Sequence, residues 1–398
     1  MKISLATSPA AKLSRQLISL ATMSALLCLT LSASVSAQDL YLPGQWGEWE
    51  KRDASQLGFN SEKLETAVEF AKESENKDTK DMAKLIEKSF SREPFFSIIG
   101  PTKPREGSSG MIIRGGYVVA EWGDTNRVDM TFSVTKSYLS TVAGIALDEK
   151  LIRDVHDPVR DYVRDGTFDA EHNRDITWDH LLTQTSDWSG ELFGKPDWAD
   201  RPVGKDKEKW QDRKMFEPGT HLKYNDVRVN LLAYSLTNVF RKPLPEVLKE
   251  KIMYPIGASP SWRWNGYENS WITIDGRKMQ VVSEGGHCGG GMFISTRDHA
   301  RFGLLFLRNG NWKGKQLISA DWIKAAMKPA KAKSDYGYMW WLNTDQAKIP
   351  SAPADSFHGA GFGGNYVYVD PKNDLVVVLR WTPDLAGVMA KILAALEE

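Results

Sequence analysis

Cysteine is scarce in this sequence, which excludes a disulfide framework. The 398 residues include only two cysteines, Cys28 and Cys288. Cys28 lies in an N-terminal segment that we expect to be removed, so the mature chain keeps Cys288 alone and cannot form an intrachain disulfide. An exported chain without disulfides depends on its hydrophobic core, and 41% hydrophobic residues are enough to build one.

A hydrophobic run long enough to cross a membrane is also missing. The apolar run over residues 17–31 is shorter than the roughly 20 residues that a spanning helix needs. It follows Lys2, Lys12 and Arg15 and precedes small residues that end at Ala37. This arrangement predicts a secretory signal peptide cleaved after about Ala37. The mature protein is then periplasmic or secreted, with no stable membrane span.

No excess of one charge is present, and no metal-binding motif stands out. The chain has 51 basic and 51 acidic side chains, and removal of residues 1–37 leaves 48 against 51, a formal charge of −3. This balance argues against nucleic acid or an anionic membrane as partner. None of the seven histidines forms H-E-x-x-H, and His287-Cys288 has no companion motif. We therefore expect no metal and no cofactor, with His287 and Cys288 lining the pocket beside a glycine-rich strand.

Strand-like segments lie towards both ends of the chain and helix-like segments in the middle. A hairpin is predicted around Gly115, and Ser61 is the expected N-cap of an early helix. The other predicted strands cover residues 336–342, 365–369 and 375–381, and the other helices cover about 133–147, 178–184, 227–240 and 383–396. The pattern predicts an α+β fold: an antiparallel sheet built from both chain ends, flanked by helices, with an inserted, mostly helical lobe.

These elements suggest the following organisation. Residues 1–37 form the signal peptide and residues 38–398 form one catalytic domain. Within it, the sheet lobe covers about 38–130 and 270–398, and the helical lobe covers about 131–269. The sequence contains no internal repeat and indicates no particular oligomeric state.

Ser133-Val134-Thr135-Lys136 is an S-x-x-K tetrad, a spacing that places the hydroxyl and the amine on one face of a helix. A serine hydroxyl needs a base to become a strong nucleophile. Lysine can be that base only when it is neutral, which requires burial or nearby positive charge. The apolar helix offers burial, whereas a second tetrad, Ser74 to Lys77, lies in a charge run where its lysine stays protonated.

Four further segments follow the tetrad along the chain. They are Leu181-Leu182-Thr183-Gln184-Thr185-Ser186, Pro218-Gly219-Thr220 with Tyr224-Asn225-Asp226, Gly289-Gly290-Gly291 with Ser295-Thr296-Arg297-Asp298, and His358-Gly359-Ala360-Gly361. With the tetrad, they resemble the serine β-lactamase and penicillin-binding protein family over residues 108–381.

The resemblance implies roles for individual residues. It implies Ser133 as nucleophile, Lys136 as general base and Tyr224 as proton relay. Asp226 stands where the family usually has Asn in its Y-x-N element. His358, Gly359 and Ala360 match the family's K-T-G strand, a substrate-binding element, and the N–H of Gly361 would join that of Ser133 in an oxyanion hole.

Two departures from the family pattern bear on the substrate. His358 replaces the K-T-G lysine and is mostly neutral at pH 7, while Gly359 replaces the threonine and has no hydroxyl. The departures favour a small ester or amide substrate, as in carboxylesterases that resemble class C β-lactamases and in amidases that resemble 6-aminohexanoate-dimer hydrolase. A β-lactamase or D-Ala-D-Ala-type peptidase stays open as an alternative. So does a non-catalytic cell-wall or β-lactam-binding receptor on the same fold.

Overall fold

The structure is a computed structural model that describes residues 41–397. The signal-peptide prediction lies outside these residues. Within them, no helix has both the length and the apolar character needed to cross a bilayer. The strands are β1 Ser109–Arg114, β2 Tyr117–Trp122, β3 Asp129–Met130, β4 Glu191–Leu192, β5 Lys195–Pro196, β6 Arg263–Ile274, β7 Arg277–Val282, β8 Gly291–Ile294, β9 Asn311–Trp312, β10 Lys315–Gln316, β11 Trp341–Leu342, β12 Phe357–Gly361, β13 Asn365–Asp370 and β14 Leu375–Arg380. The helices are α1 Ser61–Glu73, α2 Met82–Phe90, α3 Thr135–Asp148, α4 Trp178–Leu182, α5 Asp226–Phe240, α6 Leu244–Leu248, α7 Thr296–Leu307, α8 Ala320–Ala326 and α9 Leu385–Ala394.

The main sheet joins the two ends of the described chain. Its order is β11-β12-β13-β14-β1-β2, and every neighbouring pair is antiparallel. The N-terminal hairpin β1–β2 pairs with β14, for example Ile112 with Val377. The predicted α+β class, with an antiparallel sheet from both chain ends, is confirmed.

Helices cover both faces of this sheet, which explains its continuous apolar strands. Val376 and Val378 of β14 belong to the core that contains α3 and α7, while Val377 belongs to the core that contains α1 and α9. Successive strand residues point to opposite faces, so a strand covered on both sides is apolar at every position.

Helix α3, which follows Ser133, is buried along most of its length. Every residue from Thr135 to Ala146 is buried, and the helix packs against α5 and α6. A helix without a solvent-facing side lies in the core of the protein, and its polar residues, such as Lys136, need partners there. A second sheet, of order β3-β8-β6-β7, lies against the turn before α3 through β8.

Three local predictions differ from the structure. The N-cap of α1 is Asn60, whose side chain accepts from Lys63 N, and not Ser61, which is the first helical residue. Residues 336–342 are extended only at Trp341–Leu342, because Met339 has a φ of 59° and interrupts the strand geometry. Strand β6 begins at Arg263, inside the range predicted to be the helical lobe.

Candidate active site

Ser133 lies in a tight turn that leads directly into α3. The turn is a 3-10 helix over Phe132–Val134. Phe132 has a φ of 50°, a left-handed conformation that costs a non-glycine residue on the order of 1–3 kcal/mol. Thr135 Oγ1 donates to Phe132 O and accepts from Met292 N of β8, so the turn is anchored to the second sheet. The nucleophile predicted from the sequence is therefore held on a constrained backbone.

Lys136 lies next to Ser133 as the spacing predicts, but its surroundings are not apolar. Its Nζ donates to Ser133 Oγ over 2.8 Å and to Glu284 Oε2 over 2.6 Å, and it lies 2.8 Å from Asp226 Oδ1. Burial acts to lower the pKa of Lys136, but Asp226 and Glu284 outweigh it and hold that pKa well above its usual value. The expectation that burial neutralises this lysine is wrong for the resting site, because two acidic partners are buried with it.

Tyr224 shares a cleft of about 510 Å³ with Ser133. Lys136 Nζ lies 4.8 Å from the centre of its ring, and the Arg201 guanidinium lies 5.0 Å from it. Burial raises the pKa of Tyr224, and although Lys136 and Arg201 act in the opposite direction, the pKa stays above its ordinary value. Tyr224 is thus a neutral phenol at neutral pH, able to donate its proton.

Strand β12 forms one wall of the cleft. His358, Ala360 and Gly361 line it, whereas Gly359 faces α3, where a Cβ would lie 3.0 Å from Ser137 Oγ. Burial, assisted by Lys348, lowers the pKa of His358 to about 3, so the imidazole is neutral at pH 7 as expected. A threonine at this position would require Ser137 or Val134 to shift by a few tenths of an ångström.

Gly361 brings the strand against the turn that carries the nucleophile. A Cβ at this position would clash with the carbonyl oxygen of Thr131, two residues before Ser133. Only glycine permits this approach. Strand β11 pairs with β12 only at Phe357 and His358. Beyond His358, none of the described strands pairs with this edge of β12.

Asp226 is placed differently from the expected substrate-binding position. It is buried and is not among the residues that line the cleft with Ser133. It lies behind Lys136, 3.0 Å from Arg201 Nη2 and 3.4 Å from His287 Nε2. Burial acts to raise the pKa of Asp226, but Arg201 and Lys136 hold it well below its usual value. Its carboxylate therefore stabilises the positive charge of Lys136 and does not face the cleft.

Several residues of this site lie outside the sequence motifs. Glu284 lies in the glycine-rich run 283–291, where it is the one carboxylic acid, and that is the signal the sequence offers. Arg201 and Lys348 were absent from the motifs. Aromatic and aliphatic residues complete the cleft: Trp341, Ile349, Phe362, Tyr366 and Leu385.

His287 and Cys288 line a separate cavity of about 170 Å³, which also borders Asp200 and Asp226. His287 Nδ1 lies 2.7 Å from Glu93 Oε2 and 2.9 Å from Asp200 Oδ1, a grouping with the residue types of a metal site. Burial acts to lower the pKa of His287, but Asp200 and Asp226 raise it to about 9. A protonated imidazole already balances these acids, and the absence of a metal stays a prediction.

Comparison with known proteins decides the family. The family model named Beta-lactamase matches residues 102–387, more than half of the chain. The chain belongs to the beta-lactamase family. Members of this family include serine hydrolases, and the predicted enzyme class is confirmed at that level.

Relatives within the beta-lactamase family are distant from this chain. The 6-aminohexanoate-dimer hydrolase of Paenarthrobacter ureafaciens is 23% identical over 304 residues, 67% of this chain and 70% of that protein. A protein of Escherichia coli O157:H7 named as a D-alanyl-D-alanine carboxypeptidase is 23% identical over 198 residues. That match covers 41% of this chain and 45% of the relative, so the chain spans less than half of the relative's length.

A solved structure supports the fold. A family VIII carboxylesterase superposes with a TM-score of 0.54 at 19% identity, covering 73% of this chain and 92% of the other. At this identity the likeness establishes the fold alone.

Proposed function

We propose that the mature chain is an exported hydrolase that cleaves a small ester or amide through an acyl-enzyme on Ser133. The observation that carries the proposal is the 2.8 Å contact between Ser133 Oγ and Lys136 Nζ at the base of a cleft that also contains Tyr224. Ser133 attacks the carbonyl carbon, Lys136 receives the hydroxyl proton, and Tyr224 supplies a proton to the leaving group. Water then hydrolyses the acyl-enzyme.

The N–H groups of Ser133 and Gly361 are proposed to stabilise the oxyanion. The close approach of Gly361 to Thr131 supports this role, because it brings the strand beside the nucleophile turn. Each such donor typically contributes about 3–4 kcal/mol to the transition state. His358 lines the cleft, and its buried Nδ1 has no hydrogen-bond partner among residues 41–397.

The charges of the cleft favour a neutral substrate. Arg201 is paired with Asp200 and Asp226, and Lys348 lies 3.4 Å from Asp335 and 3.3 Å from the Trp341 ring centre. Among the described cations that line the cleft, each therefore has a carboxylate partner. The neutral His358 adds no fixed charge for a substrate carboxylate.

A substrate panel tests this proposal. Nitrophenyl esters, nitroanilides and nitrocefin are compared on wild type and Ser133→Ala, together with a nitrophenyl ester that carries a free carboxylate. We expect neutral esters or anilides to be cleaved fastest and Ser133→Ala to be inactive. Faster turnover of nitrocefin would support a β-lactamase instead. Stable acylation by a labelled penicillin without turnover of any substrate would support a receptor.

A further inference from the structure

Lys136 cannot accept the Ser133 proton while it is an ammonium group, and the resting contacts hold it as one. Its Nζ lies 2.8 Å from Ser133 Oγ, within hydrogen-bond distance. Two carboxylates within 2.8 Å favour the charged form. A proton must therefore leave Lys136 before the hydroxyl can be activated, and the groups in contact with Nζ decide where it goes.

We propose that Glu284 accepts a proton from Lys136. It thereby acts as a positioning residue, because it acts through Lys136 and leaves that lysine as a neutral base. The inference rests on the proposed Ser133 acyl-enzyme. Glu284 Oε2 accepts the shorter of the two hydrogen bonds from Lys136 Nζ, at 2.6 Å, and its side chain is fully buried. A proton transferred along this bond leaves a neutral amine beside Ser133 and a neutral carboxylic acid at Glu284.

Asp226 is the other acid beside Lys136, and its contacts make it a poorer acceptor. Its Oδ1 lies 2.8 Å from Nζ but without hydrogen-bond geometry, and its Oδ2 is paired with Arg201. These contacts hold Asp226 as an anion. Glu284 has no guanidinium partner among the described residues, and burial together with Asp226 raises its pKa.

The position of Glu284 is fixed by backbone contacts and not by Lys136 alone. Its N–H donates to Asn230 Oδ1 of α5 over 3.0 Å, and its Oε1 accepts from Gly286 N over 2.5 Å. One carboxylate oxygen is thus held by the loop while the other faces Nζ. This division leaves Oε2 free to take the proton.

The step balances as a proton relay. The Nζ–H bond to Glu284 breaks and an O–H bond forms on Oε2. The neutral Nζ then takes the Ser133 proton as Oγ bonds to the substrate carbonyl carbon, whose π electrons move to the carbonyl oxygen. Collapse of that intermediate expels the leaving group, which takes a proton from Tyr224 while Tyr224 takes one from Lys136. The proton on Glu284 remains for the hydrolytic half.

The relay has a signature in the dependence of kcat/KM on pH. Transfer between Lys136 and Glu284 conserves the number of protons, so wild type forms its base without losing a proton to solvent. Other groups facing Glu284 are Asp226 from α5, Tyr267 from β6, and His287 and Cys288 from its own loop. Because the pKa of His287 is about 9, the informative window lies between about pH 6 and about pH 8.

Glu284→Gln keeps the shape of the side chain and removes the acceptor. Lys136 must then release its proton to solvent against the field of Asp226. We expect kcat/KM of Glu284→Gln to fall on the order of a hundredfold at pH 7 and to rise about tenfold per pH unit, while wild type stays flat. The matched control is Glu93→Gln, a buried acid that contacts His287 and Lys195 but not Lys136. It should keep the flat profile.

The outcomes separate this inference from the proposed function. A sloped profile in Glu284→Gln with a flat one in wild type and Glu93→Gln supports the relay. A flat profile in Glu284→Gln overturns it while leaving the Ser133 acyl-enzyme intact. If Glu284→Gln does not fold, wild type decides the question, because a tenfold rise per pH unit in wild type overturns the relay. The rate of Ser133 labelling by a fluorophosphonate gives the same readout without turnover, and a wild type that neither labels nor turns over substrate overturns the proposed function itself.

Discussion

Lys136 donates a hydrogen bond of 2.8 Å to Ser133 Oγ. The two residues of the tetrad are in contact, and the two buried carboxylates beside Lys136 favour its protonated form. The site is therefore assembled but at rest. Activation requires Lys136 to pass a proton to Glu284, a buried acid that lies outside the sequence motifs.

Replacing Ser133 should abolish turnover without disturbing the fold. Ser133→Ala removes the nucleophile and one hydrogen bond to Lys136, so we expect kcat to fall roughly 10⁴-fold or more and stability to change by only about 1 kcal/mol. Ser74→Ala is the matched control, because Ser74 belongs to the other S-x-x-K tetrad and caps the end of α1. Ester hydrolysis and thermal unfolding measure both effects. Retained activity in Ser133→Ala would show that Ser133 is not the nucleophile.

Removing the Tyr224 hydroxyl should slow catalysis while leaving substrate binding largely intact. The raised pKa of Tyr224 keeps the phenol protonated, so Tyr224→Phe loses a proton donor and keeps the ring. We expect kcat to decrease by roughly 10²–10⁴-fold with a smaller change in KM. Tyr338→Phe serves as control, since that hydroxyl binds Asp179 over 2.7 Å and does not line the cleft. Equal effects of the two substitutions would point to packing and not to proton transfer.

His358 should not titrate in the working pH range. Its pKa of about 3 keeps the imidazole neutral from about pH 5 to about pH 8, so it contributes no inflection to the pH profile there. His358→Asn should change the size of kcat/KM but not the shape of its dependence on pH. If an acidic limb of the wild-type profile disappears in His358→Asn, the imidazole is charged in part of this range and the assignment fails.

The buried cluster around His287 should make stability depend on pH. Burial acts to lower the pKa of His287, but Asp200 and Asp226 raise it from 6.5 to about 9 in the folded state. The stabilisation is fully present below about pH 6.5 and is lost as pH rises through about 9. It amounts to at most about 3 kcal/mol. Urea unfolding at several pH values should show this decline in wild type and a weaker one in His287→Gln. Parallel curves for the two proteins would show that His287 is not the group responsible.

The sequence was most informative where the chemistry is local. Ser133 and Lys136 are three residues apart on one helix, so their contact follows from helical periodicity. The charge of Lys136 could not be predicted in the same way. Glu284 is 148 positions away in the chain. It contacts Lys136 only because the fold brings the loop after β7 next to α3.

The same contrast holds for the fold. The hairpin β1–β2 and strands β13 and β14 were predicted from apolar runs bounded by turn residues. The aromatic stretch 336–342 was wrongly predicted as a strand because strand propensity reflects packing as much as backbone preference. There Tyr336 and Trp340 are buried by tertiary contacts while Met339 takes a left-handed backbone.

The most direct test of the central claim is to identify the residue that carries the acyl group. Wild type and Ser133→Ala are treated with a fluorophosphonate probe, and peptide mapping by mass spectrometry locates the modification. The account predicts one modified peptide, with the probe on Ser133, and no modification of Ser133→Ala. A wild-type protein that hydrolyses esters while Ser133 stays unmodified, or that carries the probe at another residue, would contradict it.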